Sequence, residues 1–154
     1  MTSFRRTRSA ILQGTKDLIS LGGLRNATMI EIADTAQVSR ATLYNHFRDK
    51  DAVLRALMES EVERLFNNSL PITEIAWEIS SHPALATLRR IDPGALTDLL
   101  ARSQDELWLK VRAGLESVVA SPTHVEMALR WLIGQFLAPL SRQEISAHAL
   151  FLAR

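Results

Sequence analysis

Arg40, Thr42, Tyr44, Asn45 and His46 crowd into one short stretch of the chain. Their side chains match what a DNA duplex displays. Arginine pairs with guanine and asparagine with adenine, while tyrosine and threonine suit phosphate or the thymine methyl. The chemistry they support is recognition of a nucleic acid. An ordinary helical hairpin with a solvated face is the plainer account of the same residues, so the carrier that positions them decides between the two.

That carrier is legible in the flanking residues. Thr28 precedes an apolar run and Glu31 follows three residues later, the pattern of a capping box in which each side chain satisfies the other residue's backbone N–H. Met29, Ile32, Ala33 and Ala36 then recur at helical spacing. Gln37-Val38-Ser39 breaks the pattern, and Ser39 suits the N-cap of a second helix beginning at Arg40. Leu43 and Phe47 stand four apart and are expected to point into a core against Ile32 and Ala33. Arg40, Thr42, Tyr44, Asn45 and His46 are left largely outside. Asp49 can cap a further helix from Lys50 to about Asn67, with Val53, Leu54 and Leu57 on its buried side. Two short helices across a tight turn form a helix-turn-helix, which lays its second helix in the major groove.

The run Thr42-Leu43-Tyr44-x-His46-Phe47-x-x-Lys50 resembles the DNA-binding domain of the TetR/AcrR family of transcriptional regulators. The resemblance covers about the first third of the chain. It includes a helix over Arg5–Leu21 with Ile11, Leu18 and Ile19, a stop at Gly22-Gly23, and Ala27-Thr28, Ile32-Ala33 and Val38-Ser39. It implies that Arg40, Ala41 and Tyr44, with Asn45 beside them, meet base edges. It likewise implies that Thr28, Thr42, Tyr44, His46 and Lys50 hold the DNA backbone. Gln37 departs from the family, which usually has glycine where the backbone takes a positive φ. Gln37 must accept that geometry or shift it.

Charge follows the same division. The net charge is +1, yet residues 1–50 hold eight Lys/Arg against four Asp/Glu, and residues 51–154 hold ten against thirteen. Basic charge is concentrated where DNA is expected. At 154 residues the chain allows one domain or two small ones, and 47% apolar residues suffice for a real core. No run of alternating β-branched residues appears, so the expected fold is all-α: a three-helix helix-turn-helix domain over 1–50, then a short helical domain over 51–154 for dimerisation and ligand binding, with 51–67 as connecting helix. The absence of cysteine excludes disulfides, cysteine nucleophiles and thiolate metal sites. Arg5, Arg6 and Arg8 are followed by no long apolar segment, so neither signal peptide nor membrane span is expected and the chain is read as cytoplasmic.

Beyond Asn67, prolines punctuate further helices near 72–80, 84–90, 93–101, 104–120, 123–138 and 142–153, with Asp92 and Ser121 as N-caps before prolines. The last two are strongly apolar. Met127, Leu129, Trp131, Leu132, Ile133, Phe136 and Leu137 mark one; Ile145, Ala149, Leu150, Phe151 and Leu152 mark the other. A helix apolar most of the way round must be buried on most sides. The resemblance implies a four-helix dimer interface here, and a monomeric core is the alternative. Gly134 and Ala138, four apart, suit either close approach of partner helices or small core positions.

The resemblance also implies a ligand pocket, for which Leu65, Phe66, Trp77, Leu88, Trp108, Leu109 and Trp131 are the candidate lining residues. The same residues suit a plain core, and roughly 85 residues after the connecting helix favour a small cavity or none. His82 precedes a proline and reads as a solvated loop residue, and His124 and Glu126, two apart, make a poor metal pair. No metal site, cofactor or enzyme motif is found: there is no G-x-S-x-G, phosphate loop, dinucleotide fingerprint or helical H-E-x-x-H. The expected function is that of a homodimeric TetR-like repressor, released from a palindromic operator by a small apolar effector. The alternative is a constitutive DNA-binding module controlled by a protein partner.

Overall fold

A computed structural model describes residues 3–68, 70–101, 106–119 and 121–152. Among them the chain is built of helices without a strand, as the all-α reading expects. The first helix, α1 (Ser3–Asn26), runs past the expected stop, but Gly23 breaks it with φ 73° and ψ −174°. A side chain there would be strained by that φ, and a Cβ would lie 3.2 Å from Ile91 Cδ1. One further turn then carries the chain to α2 (Met29–Thr35) and α3 (Arg40–His46).

The caps form as their spacing dictates. Glu31 N–H donates to Thr28 Oγ1 at 3.3 Å and Thr28 N–H donates to Glu31 Oε2 at 3.2 Å. Thr42 N–H donates to Ser39 Oγ at 3.0 Å. Gln37 takes φ 55°, so it accepts the left-handed turn that glycine would occupy without strain. Asp49 accepts from Ala52 N–H at 2.8 Å and starts α4 (Lys50–Asn67). Ile11, Ile32, Ala33, Leu43 and Val53 are fully buried together, with Phe47 at the edge. Each large aliphatic in that set contributes about 1.5–3 kcal/mol of burial.

This core does not close at residue 50. It continues through Ala56 into Ala84 and Leu88 of α6 (Pro83–Ile91) and Leu96 of α7 (Pro93–Ala101). The helix α6 packs along α1, and Thr87 Oγ1 donates to the Ser20 carbonyl at 2.6 Å. A second core joins α5 (Ile72–Ser81), α8 (Glu106–Glu116), α9 (Pro122–Leu137) and α10 (Arg142–Ala149) through Ile75, Trp108, Leu115, Leu129, Leu132 and Ile145. Ser121 caps α9 as expected, accepting from His124 N–H at 3.4 Å.

Gln135 and Arg89 find their partners locally inside this second unit. Gln135 is 2% exposed, and its Oε1 accepts from Ser80 Oγ at 3.0 Å and from Leu140 N–H at 3.1 Å. Arg89 donates to the carbonyls of Ser80, Gln135 and Phe136 at 3.2–3.4 Å, tying the ends of α5 and α9 to α6.

Two helices are shorter than expected. The helix expected over 104–120 spans Glu106–Glu116, turning at residues 117 and 118, with residues 104, 105 and 120 outside the described part. The last helix ends at Ala149 instead of 153. Phe151 and Leu152 N–H reach back only three residues, to His148 and Ala149, a tightened turn that does not continue the helix. Residue 153 lies outside the described part. The outer side of this region leaves Met127 48%, Leu137 53%, Leu150 65% and Phe151 71% exposed.

Candidate nucleic-acid interface and cavity

The helix α3 divides sharply between its two sides. Leu43 is fully buried, whereas Arg40, Ala41, Tyr44 and Asn45 are exposed on one outward face. The caps at Ser39 and Asp49 and the buried anchors hold that face rigid. The four side chains expected at base edges are thus brought together and left open to solvent.

The residues expected on phosphate are more occupied. Thr28 is exposed, but its hydroxyl donates to Glu31 Oε2 at 2.7 Å. The Thr28 hydroxyl and N–H hold the Glu31 carboxyl below its usual range. Thr42 is half-buried, its hydroxyl 2.8 Å from that of Ser39. His46 is half-buried too, stacked on Phe4 with ring centroids 4.2 Å apart, and its Nδ1 is buried without a partner. Lys50 Nζ donates to the Leu24 carbonyl, so it closes the last turn of α1 as well as standing at the start of α4. The sequence does not show that Phe4 and Arg8 reach the end of α3. Arg8 lies over the Phe47 ring at 4.8 Å, which fixes the first turns of α1 beside the end of α3.

Behind this unit lies a cavity of about 750 Å³, reached by side chains of α1 and of α4 through α9. Of the candidate ligand residues, Phe66, Leu88 and Trp108 line it, with Leu65. Trp77 and Trp131 do not, and helical register explains why. On α5 the cavity stripe is Ile75, Glu78 and Ile79, and on α9 it is Leu129, Leu132, Ile133 and Phe136. Each tryptophan sits two residues out of its stripe, on another face. Trp77 stacks under Arg142 at 4.9 Å and Trp131 Nε1 donates to His148 Nδ1 at 3.4 Å. Leu109 is 56% exposed and also lies outside the lining.

The polar part of the lining was not foreseen. Lys16 of α1 pairs with Glu61 of α4 at 2.9 Å, and Arg64 bridges Glu61 at 3.2 Å and Glu78 of α5 at 2.6 Å. Burial pushes the Glu61 carboxyl up, but Lys16 and Arg64 outweigh it and hold it below the usual range. His82 is corrected from a solvated loop residue to a cavity-lining one. Its Nδ1 is buried without a partner, and burial, helped by the charge of Lys16, holds the imidazole below its ordinary range. Glu61 and Arg64 show a helical ion-pair spacing in the sequence. Nothing there relates Lys16 to Glu61, 45 residues away.

Among the described residues, no helix is long and apolar enough to cross a membrane. Residues 11–57 match the bacterial regulatory proteins, tetR family. Over 63 residues the chain is 33% identical to the HTH-type transcriptional regulator UidR of Escherichia coli, covering 41% of this chain but only 32% of that protein's length. It therefore spans about a third of UidR. It is 25% identical over 150 residues to the HTH-type transcriptional repressor AcnR of Corynebacterium diphtheriae, covering 96% of this chain and 68% of the relative. It is 28% identical over 105 residues to the HTH-type transcriptional repressor Rv1474c of Mycobacterium tuberculosis, covering 68% of this chain and 46% of the relative.

Proposed function

We propose that this chain, whose residues 11–57 belong to the tetR family of bacterial regulatory proteins, is a cytoplasmic DNA-binding repressor. It acts as a homodimer on a palindromic site and leaves that site when a small molecule fills its cavity. The observation that carries the reading is the exposed row of Arg40, Ala41, Tyr44 and Asn45 on a helix whose other side, at Leu43, is fully buried. Such a helix offers hydrogen-bonding groups to base edges without unfolding anything.

In this reading two copies pair through α9, α10 and the turn after α10, where exposed Met127, Leu137, Leu150 and Phe151 gain cover in a two-fold interface. The paired reading helices must then stand about 34–36 Å apart to enter successive major grooves on one face of DNA. The cavity reaches the reading unit through α6. Ala84, Leu85 and Leu88 line it, while Thr87 of the same helix is bonded to Ser20 of α1. An occupant that displaces α6 therefore moves α1 and changes the spacing. It shifts the population only as far as it binds the displaced form better.

Selection of random duplexes by the full chain, followed by sedimentation of the selected complex, tests this. The expected result is a palindromic sequence carrying two copies. Recovery of no preferred sequence would remove the regulator reading. A preferred sequence whose binding responds to no small molecule would leave the constitutive, partner-controlled module in its place.

A further inference from the structure

The turn between α2 and α3 is held from both sides. Gln37 N–H donates to the Asp34 carbonyl at 3.1 Å and Val38 N–H to the Ala33 carbonyl at 3.0 Å, the paired bonds of a Schellman ending. Val38 packs against the first core, and Ser39 at once caps α3. Closing α2 in this way needs one residue with a positive φ, and that residue is Gln37, at 55°. Among the described residues it is the only one besides glycine in that region. Glycine fills such a position without strain, and asparagine, aspartate and histidine are the side chains that enter it most readily. Glutamine is none of these.

Nothing local offsets the strain. Gln37 is exposed, and among the described residues its amide makes no hydrogen bond that would hold the turn. A strained conformation kept without local compensation points to a use outside the fold. The place in the fold says which. Gln37 stands three residues ahead of Arg40, at the N-terminal end of the helix that presents Arg40, Ala41, Tyr44 and Asn45. A reading helix meets base edges with its N-terminal residues, so the turn before it comes down beside the major groove, where the sugar–phosphate backbone runs. A glutamine amide there can donate to a phosphate oxygen, one of the ordinary contacts that position a protein on a duplex. Base edges are less accessible to it, because Gln37 lies off the helix and its row of outward residues.

We propose that Gln37 is a DNA-backbone contact, its amide donating to a phosphate oxygen beside the groove that α3 enters. The inference rests on α3 as the DNA-reading helix and adds a residue outside that helix and its caps. The contact is neutral, so it displaces no counterion from the duplex and carries no sequence preference.

The full chain and three variants are unfolded in urea and titrated, over a range of salt, against the selected palindrome and a scrambled duplex. Gln37→Gly relaxes the turn and should raise the urea midpoint, yet weaken binding to both duplexes about threefold or more. Gln37→Met keeps the side-chain length and the strained φ but removes the donor. It should lose the same affinity without gaining stability. For both variants the slope of log affinity against log salt should stay that of the native chain. Gln37→Lys keeps a donor and makes it a cation. It should bind at least as tightly as the native chain at low salt and steepen the slope by about 1 per subunit. Stability and affinity moving in opposite directions in Gln37→Gly is what a residue serving the turn alone would not give. Native affinity in Gln37→Gly or in Gln37→Met overturns the proposal, as does a Gln37→Lys slope equal to that of the native chain. Each of these leaves the regulator reading standing, whereas a native chain that binds neither duplex overturns both.

Discussion

The reading unit and the helical body behind it differ in how their helices are fixed. From Thr28 to Asp49, each helix begins on a side-chain cap and each apolar anchor is buried. The unit closes its caps within some twenty residues and turns a largely polar face outward, with Ile30 as its exposed large aliphatic side chain. The body has the reverse character. Its last two helices and the turn after them carry exposed leucine, methionine and phenylalanine, and a cavity between its helices has charged groups in the wall. One region is finished by its own sequence, while in the proposed reading the other is completed from outside, by a second copy and by a guest. In that reading local rigidity suits a surface that presents fixed hydrogen-bonding groups, and incomplete packing suits a part that responds to a guest.

The contrast is most easily broken at Gly134. A Cβ built there meets nothing within 4 Å, so the isolated chain has room for a side chain. Gly134→Glu should therefore leave the monomer folded yet place a charge against its own copy across a two-fold axis. Sedimentation should show monomers, and affinity for a palindromic duplex should fall about a hundredfold or more through lost avidity. A folded dimer would move the interface elsewhere.

Core substitutions sharpen the comparison on a smaller scale. Leu43→Ala, in the closed core, should cost about 2–5 kcal/mol. Leu132→Ala, in the cavity wall, already faces open space on one side and should cost less, about 2 kcal/mol or below. Urea unfolding of both variants ranks them, and an inverted order would contradict the picture of a tight head and a loose body. Thr28→Ala removes the capping box of α2 and should cost about 1 kcal/mol in the same assay.

The smallest effect lies in pH. Burial holds the folded His82 imidazole below its ordinary range. The unfolded chain therefore takes up that proton first as pH falls below about 6.5. The stability tied to a neutral His82 is fully present above that point and is lost as pH drops toward the folded value. Subtracting the pH profile of His82→Gln from that of the native chain should leave a difference that falls with acidity over this window. A flat difference would return His82 to a solvated role.

What could be read from the chain follows from distance along it. The pairs Thr28 with Glu31, Ser39 with Thr42, and Asp49 with Ala52 lie three residues apart, and their hydrogen bonds depend on little beyond local backbone geometry. Gln37 was legible as the residue that must accept a positive φ or shift it, and it accepts it, at 55°. The cavity was harder because its wall is assembled from residues remote in sequence, such as Lys16 and Glu61. Trp77 and Trp131 were chosen for size, but register on the helix decides which face a side chain shares. His82 looked like a loop residue because Pro83 follows it. The joint between α5 and α6 turns inward, however, and carries the imidazole to the cavity wall.

The central claim is that the outward face of α3 reads base pairs, and Arg40 tests it most directly. The native chain and Arg40→Ala are titrated at fixed salt against the selected palindrome, its single-base variants and a scrambled duplex. The account predicts a loss of about 1–3 kcal/mol per recognised base pair on the palindrome, with discrimination relaxed at one position in each half-site and binding to scrambled DNA little changed. An equal loss on the palindrome and the scrambled duplex would make Arg40 a backbone contact and contradict base reading by this face.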